Sequence, residues 1–523
     1  MARTFFLKNI IRTLSTQVKF SSRVKNKSQF SDSRRSFLKL GFATGVTVIG
    51  SSLIQACTSN SINLTGLGND LGRKKIAIVG GGLAGLAAAY QLKKAGLDTT
   101  IFEASSRLGG RILTIYDQFG TNTYSENGGE FVDSNHSFIR QLCKEFSIPL
   151  LDLERNSRDN HLSPQDYYID GIKYSEQDVV AAFGQASKTI SIDLEACGDF
   201  TTPKAIELDN TSLSSYVLSL PMPVWLSALL INAYEAEFGI EASRQSSLNL
   251  IDMIGTDVSS GFKVFGESDE RYKIKGGSSA LISALRDELA DRIRFNKQLS
   301  ELSSNGPGAQ LGFSDGTTFG ADYLILCIPF TVLRSIKIGV STFSPEKLKC
   351  IKELGYGNNC KVIMATSSRP WREDKSAGYL INEEIQNGWD ATQMQSENAG
   401  PGAYTVFLGG RKANAINSEF HASKFHLERF KNVLTSVYPS MEGAFTEQAR
   451  TVNWVSNKYA LGSYPAYKVG QWTTIAGQEA VPADYIFFAG DHTSDEFQGY
   501  MNGAAESGAR AANEVVSKLR IKT

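Results

Sequence analysis

The segment from Lys75 to Glu103 constrains this chain more than any other. Lys75-Ile76-Ala77-Ile78-Val79 is a short apolar run suited to a buried parallel strand, and Gly80-Gly81-Gly82-Leu83-Ala84-Gly85 sets G-x-G-x-x-G at its end. A helix is predicted from Leu83 to Ala95, with Leu83, Leu86, Ala87, Tyr90 and Leu92 on a packed face and Gly96 placed to stop it. Asp98 to Phe102 reads as a second strand, and Glu103 ends it 18 residues past Gly85, where a carboxylate can accept hydrogen bonds from ribose hydroxyls. Glycine triplets alone are common in turns. Strand, glycines, helix, strand and acid in one β-α-β unit predict a dinucleotide site. There Gly80, Gly82 and Gly85 let the helix N-terminus, with Leu83 and Ala84, approach a pyrophosphate.

The remaining composition suits a large globular chain. Of 523 residues, 41% are hydrophobic and 21% charged, which argues against extended disorder and a multi-span membrane protein. Lys+Arg 54 balances Asp+Glu 54, so no nucleic-acid-binding surface spread over the protein is expected. Six scattered Cys without C-x-x-C, and five His, signal neither a disulfide scaffold nor a zinc site. The charge balance hides an asymmetry, because residues 1–56 hold ten Lys/Arg and one acid. Within them Ser33-Arg34-Arg35-Ser36-Phe37-Leu38-Lys39 has the twin-arginine pattern, followed by a weakly apolar stretch too short and polar for a membrane span. The leader, residues 1–57, resembles a Tat signal peptide, with an organelle transit peptide or a basic arm as alternatives. Leu53-Ile54-Gln55-Ala56-Cys57 is similar to a lipobox, although Gln55 departs from it; this implies a lipid anchor at Cys57, with ordinary cleavage as the alternative. Residues 58–73 read as a linker. The expected partner is the Tat translocase, and the expected destination is the periplasm or a membrane anchor on the outer face. Arg34→Lys combined with Arg35→Lys should block export and leave folding intact; normal periplasmic or surface accumulation of the double variant would refute the assignment.

Arg107-Leu108-Gly109-Gly110-Arg111 follows the Rossmann acid by four residues. Here the chain resembles the flavin-containing amine oxidase family, which includes monoamine oxidases, polyamine oxidases and L-amino acid oxidases. The resemblance implies FAD, with Glu103, Ala104, Arg107, Gly110 and Arg111 at its ribose and phosphates. It extends through Glu126-Asn127-Gly128-Gly129-Glu130-Phe131, similar to the family's approach to the flavin, through Arg271 to Gly277, and through Leu299, whose backbone meets the adenine side. The most diagnostic block is C-terminal, running from Phe487-Phe488-Ala489-Gly490-Asp491 to Gln498-Gly499-Tyr500-Met501-Asn502-Gly503-Ala504. The resemblance places Gly490, Asp491, Gly499, Tyr500 and Met501 along the ribityl chain and ring system.

Amine oxidation needs a neutral amine held in a dry pocket against the flavin. The resemblance implies that Tyr464 and Tyr500 form an aromatic cage, since tyrosine faces orient an amine with little competing polarity. Ser463 falls where covalently flavinylated monoamine oxidases have Cys, so non-covalent FAD is expected. The family's flavin-side lysine matches Lys337 by one alignment, whereas counting from Pro329 selects Arg334. Phe131 stands where many L-amino acid oxidases hold a carboxylate-binding Arg, and Glu130 and Asp133 suit a cationic amine.

The expected fold is α/β, a discontinuous Rossmann-like FAD-binding domain (74–150, 262–334, 455–520) with an inserted α+β substrate domain (151–261, 335–454). Helices are predicted near Val224 to Ala233 and Ser247 to Ile254. The expected activity is FAD-dependent oxidation of a primary amine or polyamine to an imine, with oxygen reduced to hydrogen peroxide. L-amino acid oxidase is the alternative; a flavin desaturase and a non-catalytic flavoprotein binding module are more remote. A homodimer is a further expectation.

Overall fold

Apolar runs buried on both faces, such as Ile76–Val79 and Tyr323–Leu326, suit a parallel sheet covered on both sides. In the computed structural model, which describes residues 74–395, 400–416 and 422–521, they are the centre of one. Its order is Ile293–Arg294, Thr99–Phe102, Ile76–Val79, Tyr323–Leu326, Ile486–Phe488, every pairing parallel. Strands from the two ends of the chain and its middle thus share one sheet, a discontinuous Rossmann-like arrangement. Numbered along the chain, its strands run 3-2-1-4-5, so the order reverses between Ile76–Val79 and Tyr323–Leu326, where ligands bind beyond the carboxyl ends of such strands.

The helix Leu83–Lys94 follows the first strand and packs against the C-terminal helix Met501–Ile521. Small residues permit the close crossing: a Cβ on Gly508 would clash with the Ala84 carbonyl oxygen and sit 3.1 Å from the Ala87 Cβ. Gly96, at φ +75°, turns the chain out of the first helix. Later the chain forms two separate strands, Ile293–Arg294 and Leu299–Asn305, because Asn296 takes a left-handed φ of +57° between them.

A seven-stranded sheet forms a second layer. It joins Asp166–Ile169 and Ile172–Tyr174 to five strands between Asn359 and Asn453. The helix Val224–Phe238, longer than predicted, lies against its strands, and Leu248–Met253 packs among the neighbouring helices. This layer holds its own apolar core. Cys143, Cys197, Cys350 and Cys360 are buried free thiols. Among the described residues no helix is long and apolar enough to cross a membrane. The twin-arginine motif, Cys57 and the linker 58–73 lie outside the described residues.

Candidate active site

A cavity of about 1450 Å³ extends from the glycine-rich turn toward the seven-stranded sheet. At its sheet end Gly80, Gly82, Leu83 and Ala84 form the lining, with Glu103 and Ala104 opposite. The Glu103 carboxylate accepts the Gly81 N–H at 2.7 Å and the Ser105 N–H and hydroxyl at 2.8 and 2.7 Å, which fixes the turn's shape. The glycines divide their work. A Cβ on Gly82 would find no protein atom nearer than the Gly110 Cα at 4.0 Å, so this space is open to a ligand. A Cβ on Gly85 would strike the Gly80 carbonyl oxygen, so Gly85 serves helix-to-strand packing and does not line the cavity.

Arg107 donates to the carbonyls of Leu108, Ile112 and Gly110 and so holds the Gly109–Gly110 turn, which also lines the cavity. Arg111 pairs with Asp491 at 2.5 and 3.1 Å and donates to the Ser463 carbonyl, joining residues 380 apart in sequence. Burial pushes the Asp491 carboxyl up, and the Arg111 guanidinium more than reverses this, holding it at about 2. The C-terminal block is tied in by Gly490, whose N–H donates to the Ser507 hydroxyl at 2.9 Å. Leu299 lines the cavity on the sheet side.

Farther along, Gly128 and Gly129 pass so close to Arg111 and Met501 that a Cβ on Gly129 would sit 2.7 Å from the Met501 Cγ. Tyr464 and Tyr500 both line this part. Tyr464 packs on Gly499, a Cβ there lying 3.7 Å from its ring, while Tyr500 meets the His136 ring edge-on at 5.3 Å. Burial and the nearby Glu237 hold both phenols protonated well above their ordinary range. Ser463 donates to the Asn359 amide oxygen at 2.6 Å.

Lys337 requires a correction. It begins the strand Lys337–Gly339, whose pairing with Leu299–Asn305 turns its side chain outward; the side chain is 77% exposed and ion-paired with Glu301 at 2.9 Å. Arg334 is not in the cavity either, since its guanidinium donates to the carbonyls of Ile351 and Leu354. The cation beside the Gly128–Gly129 turn is Lys361, donating to the Gly128 carbonyl at 2.9 Å and paired with Glu130 at 2.7 Å. Its signal was legible, as a lysine inside the wholly buried strand Asn359–Thr366 demands partners.

Three acids line the cavity around the tyrosines. Glu237 receives the Tyr500 hydroxyl at 3.5 Å, and the Asp133 carboxylate receives the Glu270 N–H at 3.0 Å. Burial first, then mutual repulsion, pushes Glu237 up to about 7 and Glu270 well above the carboxylate range. Burial likewise raises Asp133 to about 6. Opposite stand Phe131, Tyr379 and Trp389, with Phe131 edge-on to Trp389 at 5.4 Å. Each arginine lining the cavity is engaged. Arg107 and Arg111 are held as described, Arg271 pairs with Asp152 and Glu154, and Arg158 pairs with Glu154 and Asp159.

The sequence profile described as "Flavin containing amine oxidoreductase" matches residues 83–516. The flavin-containing amine oxidase A of Sus scrofa is 24% identical over 462 residues, covering 85% of each chain. An L-amino-acid oxidase of Vipera ammodytes ammodytes is 25% identical over 468 residues, 84% of this chain and 92% of its own. A solved structure of putrescine oxidase bound to putrescine superposes with a TM-score of 0.72 at 19% identity, covering 85% of this chain and 99% of that one.

Proposed function

The chain belongs to the family of flavin-containing amine oxidoreductases, FAD-dependent enzymes acting on CH–NH2 donors, and from that premise we propose that its substrate is a cationic primary amine or polyamine. The product is the imine, hydrolysed to an aldehyde and ammonia or amine, with oxygen reduced to hydrogen peroxide. The residues present fit FAD. Gly82 leaves room for a pyrophosphate at a helix N-terminus, Glu103 stands at the ribose position, and Arg111 and Asp491 flank the groove between that end and the tyrosines. When bound, FAD supplies the acceptor for the hydride equivalent leaving the carbon next to nitrogen. With Ser463 in place of a cysteine, its attachment is non-covalent.

The protein contributes orientation, dryness and charge. Tyr464 and Tyr500 flank the reacting amine, and the aromatic wall of Phe131, Tyr379 and Trp389 lowers the dielectric around it, which favours the neutral, oxidisable amine. The observation that carries the substrate reading is the acid set at this end: Asp133, Glu237 and Glu270 face the cavity, and every lining guanidinium is already held, Arg111, Arg158 and Arg271 by carboxylates and Arg107 by backbone carbonyls. A substrate carboxylate would meet the Asp133 carboxylate there, and that of Glu237 as it ionises, whereas an ammonium finds counter-charge in both and a hydrogen-bond acceptor in Glu270. The putrescine oxidase likeness is in keeping with this reading.

Peroxide release tests it directly. Primary amines and polyamines should turn over and L-amino acids should not; turnover confined to L-amino acids would overturn the reading. The pH dependence has a definite sign. Glu237 ionises as pH rises through about 7, so KM for a dication should fall across that range. Glu237→Gln should flatten this dependence and lower kcat/KM for polyamines roughly 10- to 150-fold, the equivalent of one charged hydrogen bond of about 1.5–3 kcal/mol.

A further inference from the structure

A row of three ionic side chains lies beneath the Gly128–Gly129 turn. Glu130 Oε1 is 2.6 Å from the Lys273 ammonium, and its Oε2 is 2.7 Å from that of Lys361. The side chains of Lys273, Glu130 and Lys361 are 2%, 3% and 9% exposed. The register brings them together, since Phe131 pairs across from Lys273 and Lys361 reaches in from the neighbouring seven-stranded sheet. Lys361 also donates to the carbonyls of Gly128 and Glu126 at 2.9 and 3.1 Å, and Lys273 to that of Asp390 at 3.3 Å. Lys361 and Glu130 reach the cavity, while Lys273 stays behind them.

One carboxylate between two ammoniums leaves one positive charge. The other acids nearby do not cancel it simply. Burial pushes Glu126 up to about 7, and burial with repulsion puts Glu270 higher. The Asp390 carboxylate faces the Trp371 N–H and Thr392, and only its carbonyl meets Lys273. Asp133 is occupied with the Glu270 N–H and His136. For stability alone such a row is a poor choice, because apolar replacements of buried ion pairs are often neutral or stabilising. Lys361 with Glu130 would already be a neutral pair. The hidden lysine is what makes the sum positive.

We propose that Glu130 and Lys273 are positioning residues for Lys361: Glu130 aims its ammonium at the flavin end of the cavity, and Lys273 offsets the Glu130 carboxylate, so that a net positive charge favours the reduced, more negative flavin. The proposal rests on FAD binding in this cavity and is independent of which amine is oxidised.

The two flanking residues carry opposite charges, so their replacements shift the flavin in opposite directions. In substrate-free holoenzyme at neutral pH, the two-electron reduction equilibrium is measured against a reference dye. Lys273→Met lets Glu130 cancel Lys361, and should move the equilibrium at least tenfold toward the oxidised form, about 30 mV. Glu130→Gln should move it at least tenfold the other way, the double variant should lie near wild type, and Lys273→Arg should leave it unchanged. Shifts of the same sign in the two single variants, no shift in either, or an equal shift in Lys273→Arg would each overturn the proposal, since packing defects do not follow charge. Thermal unfolding of the FAD-free chain gives a readout without the flavin. Glu130→Gln should lower Tm by leaving two buried ammoniums unopposed, and adding Lys273→Met should recover part of the loss. Strictly additive effects would overturn the coupling.

Discussion

Gly82→Leu is expected to give a folded, colourless protein. Gly82 has an ordinary φ of −73° and its Cβ position is 4.0 Å from the nearest protein atom, so the fold tolerates a side chain there. The side chain would instead fill the approach to the backbone amides at the start of the helix Leu83–Lys94, where the FAD pyrophosphate is to be held. Losing two charge-assisted hydrogen bonds of about 1.5–3 kcal/mol each weakens FAD binding by roughly 100-fold or more. Gly85→Ala is the informative contrast, because its Cβ meets the Gly80 carbonyl and must displace the strand-to-helix turn itself. Flavin absorbance per protein, read beside the Tm of the FAD-free chain, separates the two. Gly82→Leu should lose flavin with Tm unchanged, and Gly85→Ala should lower Tm. A yellow Gly82→Leu protein would remove the pyrophosphate from this turn.

That contrast shows where sequence was informative. The motif spelled out the glycines because local backbone geometry demands them, and the strand-helix-strand unit around them could be read within one window of sequence. Which glycine faces ligand and which faces strand depends on the fold, and the spacing treats all three alike. Lysine placement failed for a similar reason. Lys337 and Lys361 both stand near apolar runs, but strand register decides which points outward, and the register of Lys337–Gly339 is set by a partner strand more than thirty residues earlier. Glu237 and Glu270 carried no motif at all. They come from segments between the diagnostic blocks, and only packing brings them to the tyrosines, although an acid near the end of the largely apolar helix Val224–Phe238 was a sign that something polar waited there.

The tyrosines themselves should govern chemistry more than folding. Tyr464→Leu and Tyr500→Leu approximately preserve apolar volume and should retain FAD, but each removes a ring face that orients the amine. A loss of roughly 1–3 kcal/mol of transition-state stabilisation, about 5- to 150-fold in the rate of flavin reduction, matches misorientation of a bound substrate. Their surroundings make the two unequal. Tyr464 rests on the Gly499 backbone, whereas Tyr500 is braced by the His136 ring and reaches Glu237 with its hydroxyl. Tyr500→Phe therefore keeps the ring and its brace and loses the hydroxyl's hydrogen bonds, the 3.5 Å contact with Glu237 and that with Ser268, so it should reduce at nearly the wild-type rate while Tyr500→Leu does not. Anaerobic stopped-flow reduction isolates this step from reoxidation by oxygen. If Tyr500→Phe were as slow as Tyr500→Leu, the hydroxyl and its acid would be the working part and the ring merely its support; if both leucine variants reduced at the wild-type rate, neither ring would orient the amine.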